Sequence, residues 1–172
     1  MMRPKILALD LGTVTGVCYG SSPEKLEAYP LVLATKKEML AARKIRDDRR
    51  RDPRIIRFQE HLEALHEREK FDLVVFEDVL FSSYTAATQL WASLRSVVWL
   101  TFPAPTTIDC INTSSLKKFA TGYGGAKKQE MVQAAIKALG NGFKKKTLDH
   151  NVADAISLWF WGHHLFISDL AS

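Results

Sequence analysis

The chain has 172 residues, 47% of them hydrophobic, which suffices for one domain with a substantial core. Its 24 Lys and Arg against 19 Asp and Glu leave a net charge of +5, a modest excess that points to an anionic partner. No apolar run reaches transmembrane length, nothing behind MMRPK reads as a signal peptide, and Cys18 and Cys110 have neither disulfide-framework nor metal-ligand spacing; a membrane protein and a disulfide scaffold are excluded, and a cytoplasmic location with two core thiols is expected.

In chain order, PKILALDLG is a short apolar run closed by an acid and a glycine, the profile of a buried central strand. TVTGVCYG reads as a second strand after a tight turn, and LEAYPLVLAT as a third. Three strands with short connections are most simply antiparallel neighbours. The next stretch, KKEMLAARKIRDDRRRDPRIIRFQEHLEALHEREK, is dense in charge and is interrupted at Pro53. Beyond that proline Ile56, Leu62 and Leu65 recur at roughly helical spacing, so a charged loop or short helix should precede a longer amphipathic helix. Residues 36–54 read as a charged insertion in a single domain spanning 1–172. FDLVVFEDV supplies a fourth strand ending in acids, YTAATQLWASLRSVVWLTF a largely apolar helix, and APTTIDCIN a fifth strand. TSSLKKFATG and KKQEMVQAAIKALG follow as helices, the second stopped by Gly140, and DHNVADAISLWFWG opens a final helix. This order predicts an α/β fold with helices packed around one mixed sheet.

The acids define the candidate chemistry. Asp10 ends the first strand and Glu77 the fourth; if those strands are parallel neighbours, both carboxylates emerge at one sheet edge, where open α/β sheets bind ligands. Asp154 lies in the apolar final helix, with Asp149 or Asn151 one turn earlier. A buried carboxylate is costly unless its charge is offset. Converging oxygen ligands offset it with a hard cation such as Mg²⁺, and two such ions suit phosphodiester hydrolysis. The competing reading makes the strand-end acids turn formers and Asp149 or Asn151 the cap of the last helix. DLGTVTG lacks a full glycine-rich phosphate loop and leads into a strand, so no small-molecule cofactor is expected.

LALDLGTVTGVCYG, VVFEDV, TGYGGAKKQEMV and DHNVADAISL, in that order, resemble the RuvC-type Holliday junction resolvases of the RNase H-like superfamily, above all the phage-encoded branch. The most specific segment is GYGGAKKQEMV, where Gly122, Gly124, Ala126 and Lys128 match a Gly-x-Gly-x-Ala-x-Lys pattern. The resemblance implies strand order 3-2-1-4-5 with the first three strands antiparallel. It also implies a homodimer that binds four-way DNA junctions and introduces symmetric paired nicks, with two Mg²⁺ ions per active site, or Mn²⁺ in their place. Asp10, Glu77 and Asp154 match family catalytic acids and metal ligands. The remaining acid usually stands three residues before the last, where this chain has Asn151. Three assignments stay open: Asn151 binds through its amide oxygen, Asp149 substitutes as catalytic ligand, or His150 positions the water. Asp149 is preferred because a carboxylate better offsets a dication.

The resemblance also implies an aromatic wedge shortly after the second acid. Leu80 occupies the usual place and Phe81 follows it, with a core phenylalanine as the alternative. Lys117, Lys118, Lys127 and Lys128 flank the glycine-rich turn and match the DNA-contacting lysines; lysines beside such a turn also let phosphates approach closely on general grounds. The 144–146 lysine run and the arginines between 43 and 54 are solvated surface or an extension of that track. The helix carrying Trp91 and Trp99 is apolar on more than one face and becomes the dimer surface by analogy. Two other functions fit the same residues: an RNase H-like nuclease acting on structured RNA, and a non-catalytic branched-DNA-binding protein, which Asn151 favours.

Overall fold

A computed structural model describes residues 3–45, 51–78, 86–140 and 148–171. Strands β1 (Ile6–Asp10), β2 (Val14–Gly20) and β3 (Glu27–Val32) form an antiparallel meander. Strands β4 (Leu73–Asp78) and β5 (Thr107–Asn112) extend the sheet parallel to β1, giving the order β3-β2-β1-β4-β5. This is the mixed five-stranded sheet and the 3-2-1-4-5 order expected from the sequence.

The charged stretch after β3 holds helix α1 (Lys36–Lys44), opened by a reciprocal cap between Thr35 and Glu38. Helix α2 (Pro53–Glu69) begins at the proline, whose missing N–H costs nothing at the first helical position, and Asp52 caps it. The buried stripe of α2 is Phe58, Leu62 and Leu65. Ile56, expected in that stripe, is instead exposed. It precedes Phe58 by two residues, about 200° around the helix, and so faces away from the sheet. The remaining helices are α3 (Ala86–Thr101), α4 (Thr113–Thr121), α5 (Lys128–Leu139) and α6 (His150–Ala171). Of the two thiols expected in the core, Cys18 is buried, but Cys110 is exposed because β5 is an edge strand.

Side chains alternate across a strand, and both faces of this sheet are covered. Leu7, Leu9, Val74 and Phe76 pack with Phe58, Leu62 and Leu65 of α2 and Leu94 and Val98 of α3. Ile6, Ala8, Leu73 and Val75 pack with Met131 of α5 and Ile156 and Trp159 of α6. Each of the buried Val, Leu, Ile, Phe and Met side chains among them contributes roughly 1.5–3 kcal/mol of transfer free energy.

Two glycines let α6 lie close on the sheet. A Cβ on Gly16 of β2 would stand 2.0 Å from the backbone oxygen of Asn151 and 3.2 Å from Cβ of Ala155. A Cβ on Gly162 of α6 would stand 3.1 Å from a Val75 methyl. The helix therefore crosses the sheet from β2 toward β4, anchored midway by Trp159, whose indole N–H donates to the Gly20 carbonyl at 3.2 Å. Gly16 is the register partner of Asp10. Close approach at Gly16 thus delivers the first turns of α6 to the end of β1.

Candidate active site

The alternation that fills the core also aims the acids. Ile6 and Ala8 face α6, so Asp10, the next residue in that series, falls on the same face; Leu73, Val75 and Glu77 repeat the pattern on β4. Because β1 and β4 are parallel, with Leu9 opposite Phe76, the two acids emerge at one end of the sheet. Asp154, on the second turn of α6, arrives over that end through the contact at Gly16. Asp78, one residue beyond Glu77, falls on the opposite face and lies 3.6 Å from the Arg95 guanidinium.

Asp10, Glu77 and Asp154 are all half-buried and share one electrostatic field. Burial pushes the Asp10 carboxyl well above the usual carboxylate range; Asp154, Glu77 and Asp149 push the same way and Lys128 opposes them. Asp154 is pushed up to about 6, first by burial and then by Glu77, with Asp149 adding and Lys117 and Lys128 opposing. Burial raises Glu77 against a hydrogen bond from the Thr113 hydroxyl and the charge of Lys117. Like charges in a desolvated site cannot all ionise cheaply without a cation.

Asp149 caps α6: its Oδ1 accepts from the Asn151 N–H at 2.9 Å and its carbonyl accepts from the Ala153 N–H at 2.9 Å. Capping and electrostatic coupling to Asp10 and Asp154 coexist in this one residue. Asn151 presses its carbonyl against Gly16, so its backbone sets the seat of the helix. His150 is exposed and lines a groove with Lys128, Gln129, Gln133 and Asp149.

Lys117 and Lys128 act on the acids, while Lys118 and Lys127 are exposed and are not among the charges that shift them. The Lys127 N–H instead donates to Glu130 at 2.5 Å, at the start of α5. Phe81, Leu80 and the 144–146 lysine run lie outside the described residues. Sequence reasoning missed Thr113 and Gly16. Thr113 follows β5 directly, a position from which a hydroxyl can reach the neighbouring strand end; Gly16 carries no local signal beyond being a glycine inside a strand.

Comparison with solved structures gives a consistent picture. Thermus thermophilus RuvC, solved in complex with a Holliday junction substrate, matches over 98% of this chain and 96% of its own, with TM-score 0.71 and 18% identity. The chain has the RuvC-like RNase H fold. A yeast mitochondrial Holliday junction resolvase matches 96% of this chain and 81% of its own, with TM-score 0.58 and 16% identity. The fowlpox virus Holliday junction resolvase matches 94% and 99%, with TM-score 0.53 and 11% identity. No family model and no curated protein sequence matches the chain. No helix among the described residues is long and apolar enough to cross a membrane.

On this RuvC-like fold the acids form a donor set rather than a closed site. Among the described residues no three His, Cys, Asp or Glu side chains stand close enough, as placed, to hold a metal ion together. Their chemistry nevertheless fits a hard cation: all the donors are oxygens, burial raises all three carboxyl groups above their usual range, and repulsion from neighbouring carboxylates adds at Asp10 and Asp154.

Proposed function

We propose that the chain is a structure-specific, divalent-metal-dependent DNA endonuclease that resolves four-way junctions by symmetric paired nicking as a homodimer. The observation that carries this reading is the convergence of Asp10, Glu77 and Asp154, from three distant segments, on one sheet end and one electrostatic field. The likeness of the whole chain to junction resolvases supports DNA as the substrate class.

Asp10, Glu77 and Asp154 would hold Mg²⁺ or Mn²⁺, with Asp149 as fourth ligand ahead of Asn151. When bound, such ions supply Lewis-acid activation of a water and charge stabilisation at the leaving oxygen of a phosphodiester. The protein's own groups do the positioning. Thr113 fixes one Glu77 oxygen by donating its hydroxyl proton, leaving the other free to bind. Lys117 and Lys128, whose charges reach the acids, draw the scissile strand toward them by phosphate contact. Lys118 and Lys127 extend that basic track along the exposed sides of the turn.

The dimer is assigned to α3. Trp91 is buried in the core, whereas Trp99 is 52% and Leu100 85% exposed. The Arg95 guanidinium lies over both indoles, 4.9 Å and 4.7 Å from the ring centres, and stiffens this surface. A twofold pairing there presents two sites to two strands of like polarity.

The test is incubation of the purified protein with an end-labelled immobile junction, its linear duplex and a structured RNA, each with Mg²⁺, Mn²⁺ or EDTA. Metal-dependent paired nicks confined to the junction support the proposal. Cleavage of RNA alone replaces it with the RNA-nuclease reading. Tight junction binding without nicks in either metal makes the chain a binding protein, the reading that Asn151 favours.

A further inference from the structure

The turn between α4 and α5 carries an aromatic that the chemistry above does not use. Tyr123 is 68% exposed within Thr121-Gly122-Tyr123-Gly124-Gly125-Ala126-Lys127-Lys128. Isolated exposed apolar groups need no explanation. This one stands out by how it is held.

Gly122 adopts the left-handed conformation with φ 84° and donates its N–H to the Lys118 carbonyl at 2.8 Å, ending α4. The Thr121 hydroxyl accepts from the Tyr123 N–H at 3.2 Å and donates to the Lys117 carbonyl at 2.8 Å. The Tyr123 carbonyl accepts from the Ala126 N–H at 3.2 Å. The ring rests on Gly125: a Cβ there would stand 2.7 Å from both Cζ and the phenol oxygen. A side chain at this position would push the ring aside. The main chain is therefore fixed and the ring packs over Gly125 while the side chain stays exposed, which reduces the conformational entropy to be lost on binding.

The setting is basic. Lys117 and Lys118 precede the turn, Lys127 and Lys128 follow it, and Lys117 and Lys128 act on the acids. Five residues of chain reach at most about 18 Å, which keeps the ring within a short stretch of strand from Lys128. A rigid aromatic beside ammonium groups is a platform for a nucleobase, with its face taking the base and the lysines the backbone.

We propose that Tyr123 stacks on an unpaired or unstacked base of the bound DNA close to the branch point, fixing the strand presented to Asp10, Glu77 and Asp154. This rests on the junction-nuclease reading. The test measures binding in EDTA by fluorescence anisotropy to a four-way junction, a single-stranded oligonucleotide and an RNA hairpin. The junction carries 2-aminopurine at each branch position in turn. Tyr123→Ala is expected to weaken junction binding about tenfold or more, the scale of one base–aromatic stack, and to relieve quenching at one branch position. Tyr123→Phe, which keeps the face, is expected to bind within about twofold of wild type. The salt slope should be unchanged in Tyr123→Ala and flatter by about one in Lys128→Ala, which separates stacking from phosphate contact. Gly125→Ala, which displaces the ring without altering it, is expected to weaken binding in the same direction as Tyr123→Ala.

Wild type that binds the junction while Tyr123→Ala binds within twofold of it overturns the stacking role alone. Equal losses in Tyr123→Phe and Tyr123→Ala overturn it as well, because the hydroxyl would then carry the effect. Wild type that binds only the RNA hairpin, or none of the three probes, overturns the junction reading and the stacking role together.

Discussion

Gly16→Ala tests the contact that brings α6 to the acids. The added methyl would stand 2.0 Å from the Asn151 carbonyl oxygen, against about 3.4 Å for ordinary contact, and 3.2 Å from the Ala155 methyl. The first neighbour is backbone, so relief requires the helix start or the strand to move by more than an ångström. Overpacking of this kind costs about 1–3 kcal/mol, and for a chain of this size each kcal/mol lowers Tm by roughly 2–4 °C. Because the strain falls between Asp10's register partner and the turn that carries Asp154, function should suffer more than stability. A misplacement of about 1 Å in a catalytic arrangement costs on the order of 100-fold in rate. The assay pairs thermal unfolding with single-turnover junction cleavage at saturating protein, at a temperature where the variant is folded. Gly12→Ala is the control, since its methyl would meet the Val14 carbonyl at an ordinary 3.4 Å, and its Tm should stay near wild type. A Gly16→Ala protein with wild-type Tm and wild-type rate would refute the seating of α6 on β2.

Two further outcomes are expected. Asp10→Asn should keep junction affinity while abolishing cleavage, and the rise in Tm that Mg²⁺ gives the wild type by relieving carboxylate repulsion should shrink or vanish; loss of binding together with cleavage would make Asp10 structural. Burial, then the Arg68 charge, lowers the pKa of His61, whose ring nitrogen lies 2.8 Å from the Tyr29 hydroxyl. His66 and His163 are lowered by burial too. In each case the unfolded chain binds the proton more readily, so the histidine contribution to stability is held above about pH 6.5 and is lost as pH drops below it, opposite in sign to the contribution of the raised carboxyls of Asp10, Glu77 and Asp154. Urea titrations of wild type and His61→Gln across that range should show the variant gaining stability relative to wild type as pH drops below about 6.5, which isolates the histidine from the acids; a constant difference between the two would mean that His61 stays solvated in the folded state.

Much of the frame was legible because it depends on local pattern. Apolar runs ending in acids marked β1 and β4, and period-two alternation is what puts Asp10 and Glu77 on one face once the strands are parallel. Other features depend on groups remote in sequence. Ile56 looked like a core position until the phase of Phe58, Leu62 and Leu65 was fixed by what α2 packs against. Gly16 gave no sign that a helix from residue 150 onward would rest on it, and Thr113 none that its hydroxyl would reach Glu77. Cys110 could be placed only by knowing that β5 is an edge.

The sequence left Asp149 divided between helix cap and metal ligand; the structure shows the cap, and that cap is compatible with the proposed ligand role. Capping engages Oδ1 through the Asn151 N–H, while a carboxylate offers about four lone-pair sites over two oxygens. Its charge meanwhile raises Asp10 and Asp154, a relation that capping alone does not require. Asp149→Asn separates the two roles, because asparagine caps as well as aspartate but carries no charge. The expected result is a Tm within a degree or two of wild type, with weaker Mg²⁺ dependence and slower cleavage, whereas Asp149→Ala should also lose roughly 1 kcal/mol of stability with the cap. Asn151→Ala, which keeps the carbonyl seated on Gly16, should then leave cleavage nearly intact. If instead Asp149→Asn cuts as wild type does and Asn151→Ala does not, the amide of Asn151 is the fourth ligand and Asp149 only starts the helix.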